Sequence, residues 1–202
     1  MRHMRTAISA ITQIFDMEDP LPNPLLVLRI RPLLQHLISQ SVCLPEQFCK
    51  PIEEQYRRYL LYCDGLQRFS VLCSVLAPGL NSWIEEYPVW GLFAVLQGSG
   101  LRRTFNVIDG QLSGAEANRI APGSLVAISV HGSEIQQMST DISSVPLTTI
   151  EIFGGNLGAI PRRRFEAGIT TKFTSGYANR VLPNLWLDED VSSSKPAGEN
   201  FH

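Results

Sequence analysis

Two stretches decide the architecture: Phe69-Ser-Val-Leu-Cys-Ser-Val-Leu76, closed by Pro78-Gly79, and Val89-Trp-Gly-Leu-Phe-Ala-Val-Leu96, closed by Gly98-Ser-Gly100. Each is an apolar run too short for a core helix, and each is bounded by residues that favour turns. Both read as short strands. The same texture continues outward. Leu101 to Ile108 runs into Asp109-Gly110, Leu125 to Val130 into Gly132, and Leu147 to Phe153 into Gly154-Gly155. Short strands separated by turn signals over residues 60 to 155 predict an antiparallel barrel or sandwich.

The chain ahead of this zone reads as helical to about residue 60. Ala7 to Phe15 is semi-apolar, is interrupted by Thr12 and Gln13, and is followed by Asp16, Glu18 and Asp19. That pattern predicts an amphipathic surface helix rather than an export signal. Pro20, Pro22 and Pro24 separate it from a second helix over Leu25 to Gln40. There Leu26, Ile30, Leu33, Leu34 and Leu37 recur at helical spacing, and Pro32 either kinks the helix or marks its start. Pro45 and Pro51 bracket a link to Ile52–Tyr62. The expected organisation is one domain: a helical segment 1–60 packed on a barrel 61–187, with a mobile polar tail 188–202.

Composition narrows the function classes. The chain has 202 residues, 44% apolar and 18% charged, with a formal net charge of −2. No basic excess points to a nucleic-acid partner, and no apolar run reaches the roughly 18 residues of a membrane span. Cys43, Cys49, Cys63 and Cys73 form no CxxC pair, so reduced thiols and a cytoplasmic location are expected. His3, His36, His131 and His202 are scattered, which argues against a site built from several histidines at motif spacing. Arg162-Arg163-Arg164 lacks interleaved aromatics and reads as a solvated or internally paired turn.

Three segments carry a resemblance: Phe69 to Gly100, Phe153-Gly-Gly-Asn-Leu-Gly-Ala-Ile-Pro-Arg-Arg-Arg-Phe165, and Ser175-Gly-Tyr-Ala-Asn179 with Leu182-Pro-Asn-Leu-Trp186. In order and content they resemble the cysteine-dioxygenase-type (thiol dioxygenase) cupins, over roughly residues 50 to 187. The resemblance implies a mainly β fold, a cupin double-stranded β-helix (jelly-roll) barrel with N-terminal α-helices. It also implies one non-haem Fe(II) held by three histidines, two from a His-Asp-His segment on an early strand and one from a later strand.

At every ligand position this sequence departs from that pattern. Counting from Pro78-Gly79 to Trp90-Gly91, the His-Asp-His positions hold Glu85-Glu86-Tyr87. The third ligand should follow an acidic-Ile pair, and Glu134-Ile135 is followed by Gln136. The family's Ser-His-Tyr row on a late strand reads Thr149, Glu151 and Phe153, which alternate and so face one side. Gly91 stands where some members carry a cysteine cross-linked to that Tyr, so with Phe153 no such link forms. Tyr56-Arg-Arg58 resembles the family's Tyr-x-Arg, whose Arg holds a substrate carboxylate through its planar fork.

The expectation is a cupin without the family's iron and with no cofactor. Fe(II) belongs only to an alternative with altered ligation, in which His131 would swing toward Gln136. Glu85, Glu151 and Tyr87 are the catalytic candidates for acid–base chemistry, since two buried carboxyls repel each other and separate their proton affinities. The plainer reading pairs each Glu with an Arg such as Arg58, Arg102 or Arg103. Arg58, Gln136, Trp83, Thr149 and Phe153 are the candidate binding residues. Trp83 and Tyr87 would form an apolar wall that raises Glu85 by desolvation, and Glu86 should point away. Tyr177 would fasten the tail to the barrel. Three functions follow: a metal-independent isomerase, lyase or cyclase on a carboxylate-bearing metabolite; a non-catalytic cupin that binds a ligand or partner; or a dioxygenase with altered metal ligation. A homodimer through edge strands is the fold-level expectation.

Overall fold

The computed structural model describes residues 2–17, 20–40, 44–50, 56–108, 111–142, 145–166 and 168–185. Two helices come first. Helix α1 (Arg2–Phe15) buries Met4, Ala7, Ile8 and Ile11, one stripe at helical spacing. Helix α2 (Asn23–Ser39) buries Leu26, Val27, Ile30, Leu34 and Leu37. Pro24 lies in its first turn, where no backbone N–H is needed. Pro32 lies inside it, so the helix runs through this residue rather than starting there.

Among the described residues eleven strands follow, in two antiparallel sheets. The first holds, in spatial order, β1 (Tyr56–Cys63), β2 (Ser70–Leu76), β9 (Leu147–Phe153), β4 (Gly91–Gln97) and β7 (Leu125–Ile128). The second holds β11 (Ile169–Phe173), β10 (Arg162–Glu166), β3 (Ile84–Tyr87), β8 (Glu134–Thr140), β5 (Gly100–Ile108) and β6 (Gln111–Ile120). The pairings β5 with β6, β4 with β7, β3 with β8, and β2 with β9 are nested. They describe one long antiparallel ribbon rolled up so that its successive segments alternate between sheets. Lateral pairing of β4 with β9 and of β5 with β8 closes the turns. This strand order is a double-stranded β-helix, a mainly β cupin-type jelly roll with N-terminal helices.

Strand parity divides the core in two. Phe69, Val71, Cys73, Val75, Leu92, Ala94, Ile150 and Ile152 face outward and pack under the two helices. Phe15 of α1 stacks on Phe69 with ring centroids 5.3 Å apart. Leu72, Leu76, Phe93, Val95, Leu147 and Phe153 face inward and meet Tyr87, Ile120, Ile128 and Met138 from the other parts of the barrel. Every residue of β2 and β9 is therefore buried, one face by helices and the other by the barrel interior. This is why those strands read as unbroken apolar runs.

Two expectations need correction. The helical zone ends before residue 56, because Tyr56–Cys63 is β1, with Tyr59 and Leu61 facing the helices and Tyr56 and Leu60 packed toward the interior. Arg162-Arg163-Arg164 is not a turn but the start of β10. The segment after β11 runs beside β1. Asn179 Oδ1 accepts from Leu60 N at 2.8 Å, its Nδ2 donates to Leu60 O at 2.9 Å, and Ala178 N donates to Arg58 O at 2.8 Å. Tyr177 does fasten this segment: its hydroxyl donates to Asn156 Oδ1 at 2.7 Å and accepts from Gly158 N at 2.8 Å. Among the described residues no helix is long and apolar enough to cross a membrane. The tail 188–202, Trp186, Cys43, Ile52 and Asp109-Gly110 lie outside the described residues.

Candidate functional site

Strand β3 lies between β10 and β8, with Glu85 opposite Arg164 on one side and Gln136 on the other. Its alternation turns Glu85 and Tyr87 inward, where both are buried, and turns Glu86 outward. The arginine run of β10 alternates to match. Arg163 goes outward and grips Glu86 through two hydrogen bonds of 2.7 and 2.8 Å, which hold that carboxyl down to about 2. Arg162 goes inward, only 2% exposed, and meets Glu85 at 3.3 Å.

A second guanidinium group reaches the same oxygen from β1. Arg58 Nη1 donates to Glu85 Oε2 at 2.8 Å, and Arg58 Nη2 donates to the Tyr87 hydroxyl. Burial alone would push the Glu85 carboxyl up, but Arg58 and Arg162 outweigh it and hold it below its ordinary value. Arg58 stays charged, since its loss to burial is exceeded by Glu85 and its other neighbours, while Arg162 is lowered by burial and by Arg58 beside it. The expectation that an apolar wall raises Glu85 is thus corrected. Trp83 is 46% exposed and its ring lies under Arg164, not against a desolvated carboxyl.

Glu151 has the opposite environment. It sits on β9, 2% exposed, with Oε1 accepting from Thr149 Oγ1 at 2.8 Å and Oε2 without a hydrogen-bond partner. Burial raises its carboxyl, and the more distant Arg58 offsets this only in part. The two interior carboxyls are therefore driven apart, Glu85 toward the ionised form and Glu151 toward the neutral one. A folded-state value above the unfolded one gives a contribution that is complete below the unfolded value of about 4.3 and lost as pH rises through the folded value. Glu151→Gln should remove that loss, so the variant gains stability relative to the wild type as pH rises above about 4.3 in urea titrations. Parallel pH profiles for the two proteins would refute a raised Glu151 carboxyl.

At the three positions that the resemblance sets against iron ligands, each side chain already has an oxygen engaged by an arginine. Glu85 holds Arg58 and Arg162, the Tyr87 hydroxyl holds Arg58, and Gln136 Oε1 accepts from Arg102 Nε at 2.6 Å. Arg102 also pairs with Glu134. Among the described residues no three His, Cys, Asp or Glu side chains gather as a metal site. His131 lies on the turn between β7 and β8. A second cation beside Arg58 would meet its charge, and an amide and a phenol are poor donors for Fe(II). The residues present do not fit that metal. Gly91 and Phe153 are cross-strand partners, and a Cβ at Gly91 would lie 2.5 Å from Phe153 Cε1.

A cavity of about 450 Å³ opens over this network. Arg58, Glu85 and Trp83 line it, together with Tyr56, Arg57, Arg164, Phe173 and the Thr174–Ala178 stretch. Tyr87, Gln136, Thr149, Glu151 and Phe153 are buried and do not line it. Arg162 and Arg164 are members of the site that the sequence reading leaves out. The usable signal was parity: Arg162 and Arg164 share a face, as Glu85 and Tyr87 do, and Arg163 matches Glu86. Two buried guanidinium groups, Arg58 and Arg162, share the single carboxylate of Glu85 beneath the cavity.

No protein-family model matches the chain. Among solved structures, the chain is similar to a protein from Thermus thermophilus, with 13% identity over 57% of this chain and 97% of that one, at a TM-score of 0.44. It is also similar to a cupin superfamily protein from Desulfitobacterium hafniense, with 16% identity over 69% and 94% and a TM-score of 0.40. A protein with a double-stranded β-helix domain from Klebsiella pneumoniae gives 11% identity over 58% and 88% and a TM-score of 0.44. Likeness at this level carries no argument about chemistry, and the jelly-roll assignment rests on the strand order itself.

Proposed function

We propose that this cupin-fold barrel binds a small carboxylate-bearing molecule in the cavity above Arg58, using fixed guanidinium charge and no metal. The observation that carries this reading is the pair of buried guanidinium groups set against one carboxylate. Glu85 neutralises only one of its two buried partners. Among the described residues Arg164 at the rim pairs only with the exposed Glu166, its neighbour two residues on. An anion that enters the cavity meets the guanidinium groups of Arg58 and Arg164, which line it.

Calorimetric titration with small carboxylates and their matched amides tests this. Carboxylates should bind and amides should not. Arg164→Ala should weaken carboxylate binding by roughly 10- to 100-fold, the range for a lost charged hydrogen bond, with little change in Tm because Arg164 is partly exposed. Equal binding of acid and amide would sink the reading.

One observation favours a second reading, proton-transfer chemistry on the bound acid as an isomerase, lyase or cyclase. Glu85 and Glu151 lie in environments that drive one toward the ionised and one toward the neutral form, the separation that acid and base roles require. Glu85 lines the cavity as the base candidate, with Tyr87 behind it and Glu151 deeper as the proton reservoir. Turnover retained in Glu151→Gln would remove Glu151 from that scheme.

A further inference from the structure

Resting on the carboxylate reading above, we infer that the body of the ligand is a planar aromatic ring, so that the ligand class is a single-ring aromatic carboxylate. The inference comes from how the arginines at the cavity are held. Arg58 lies with its central carbon 4.7 Å from the Tyr56 ring centroid. Arg162, just behind the cavity, lies 4.6 Å from the Phe173 ring. Arg164 lies 3.0 Å from the Trp83 ring and 5.8 Å from Phe173. The rim is layered, guanidinium against aromatic ring, from three separate strands and the residue ahead of β3.

Guanidinium N–H donors lie in the plane of the group, and its two faces carry none. Stacking on a ring therefore occupies a face and leaves the edges for a carboxylate. An aromatic acid uses both at once: its carboxylate takes the terminal in-plane donors of Arg164 at the rim, and its ring lies against the half-exposed Trp83. An aliphatic acid of equal size fills the volume and pairs with the charge, but it has no quadrupole to set against a cation. Trp83 supports this choice. A half-exposed tryptophan at a cavity mouth, fixed beneath an arginine, presents a rigid flat wall. The cavity, about 450 Å³, is in the range that takes small ligands.

The test uses the full-length protein and three probes, namely benzoate, cyclohexanecarboxylate and benzyl alcohol, followed by calorimetry and by tryptophan fluorescence. Benzoate should bind roughly 3- to 30-fold more tightly than cyclohexanecarboxylate, the range of a cation–π contribution. Benzyl alcohol should bind far more weakly than either acid. Trp83→Leu, at a half-exposed position, should erase most of the benzoate preference while cyclohexanecarboxylate binding persists. Equal affinity for benzoate and cyclohexanecarboxylate would overturn the aromatic inference and leave the carboxylate reading standing. Benzyl alcohol binding as tightly as benzoate, or no binding by either acid, would overturn both.

Discussion

Glu85→Gln should lower the unfolding free energy by about 3–5 kcal/mol, the usual loss when one partner of a buried ion pair is removed. For a chain of this length that corresponds to a fall in Tm of roughly 6–20 °C. The size of the effect comes from what remains. Arg58 and Arg162 are 6% and 2% exposed, and Glu85 is the carboxylate that both of them contact. The amide keeps the shape and removes the charge, so two buried cations face each other with no carboxylate between them. Replacing all three residues by apolar ones of similar volume should recover most of the loss, because the interior no longer holds an uncompensated charge. The pH dependence follows from the same contacts. Glu85 is held below its unfolded value, so its contribution is present above about pH 4.3 and lost as pH falls through the lower folded value. The Glu85→Gln variant should lack that acid-side loss. Urea titrations at neutral pH and across roughly pH 2 to 5 measure both effects. A change under about 0.5 kcal/mol at neutral pH, the range of ordinary surface substitutions, would contradict the account.

Phe153→Ala should cost about 3–5 kcal/mol, as for other buried aromatic deletions. Phe153 is 1% exposed, its ring stacks on Tyr87 at 5.5 Å and 13°, and it fills the space where Gly91 has no side chain. These three residues lock together from β9, β3 and β4. Gly91→Ala alone overpacks the ring and should cost about 1–3 kcal/mol. In the Phe153→Ala background the same methyl enters a void and should be neutral or stabilising. The double-mutant cycle should therefore show a coupling of about 1 kcal/mol or more. Additive losses would mean that the ring and the glycine do not share that space.

The fold was legible where burial is two-sided. Leu147 to Phe153 matches β9 residue for residue, and β2, β4, β5 and β7 begin or end within about two residues of the expected runs. Helix α1 and helix α2 were legible from their stripes. Strands β6, β8, β10 and β11 left no such trace, because one face of each meets solvent or polar partners. Gln-Leu-Ser-Gly-Ala-Glu-Ala-Asn-Arg-Ile and Ile-Thr-Thr-Lys-Phe carry no apolar run. Strand β1 was hidden by its two adjacent arginines and by the helical texture before it. At the site, alternation on β3 and β9 identified which side chains turn inward. It did not identify their partners. Glu85 meets Arg58 from 27 residues away and Arg162 from 77, and no local pattern announces which of several arginines closes such a gap. Gln136 likewise finds Arg102 only because β8 and β5 lie side by side.

The position of Arg58 has a consequence for how such a site is supplied. A barrel that holds a metal depends on the cell to deliver the ion, on its oxidation state, and on competitors that carry it away. Here the positive charge against Glu85 and Tyr87 is part of the polypeptide. It is present as soon as the chain folds, in fixed stoichiometry, and a chelator cannot strip it out. A guanidinium group also keeps its proton at any physiological pH. The counter-charge to Glu85 is thus encoded rather than acquired, and it needs no maturation step.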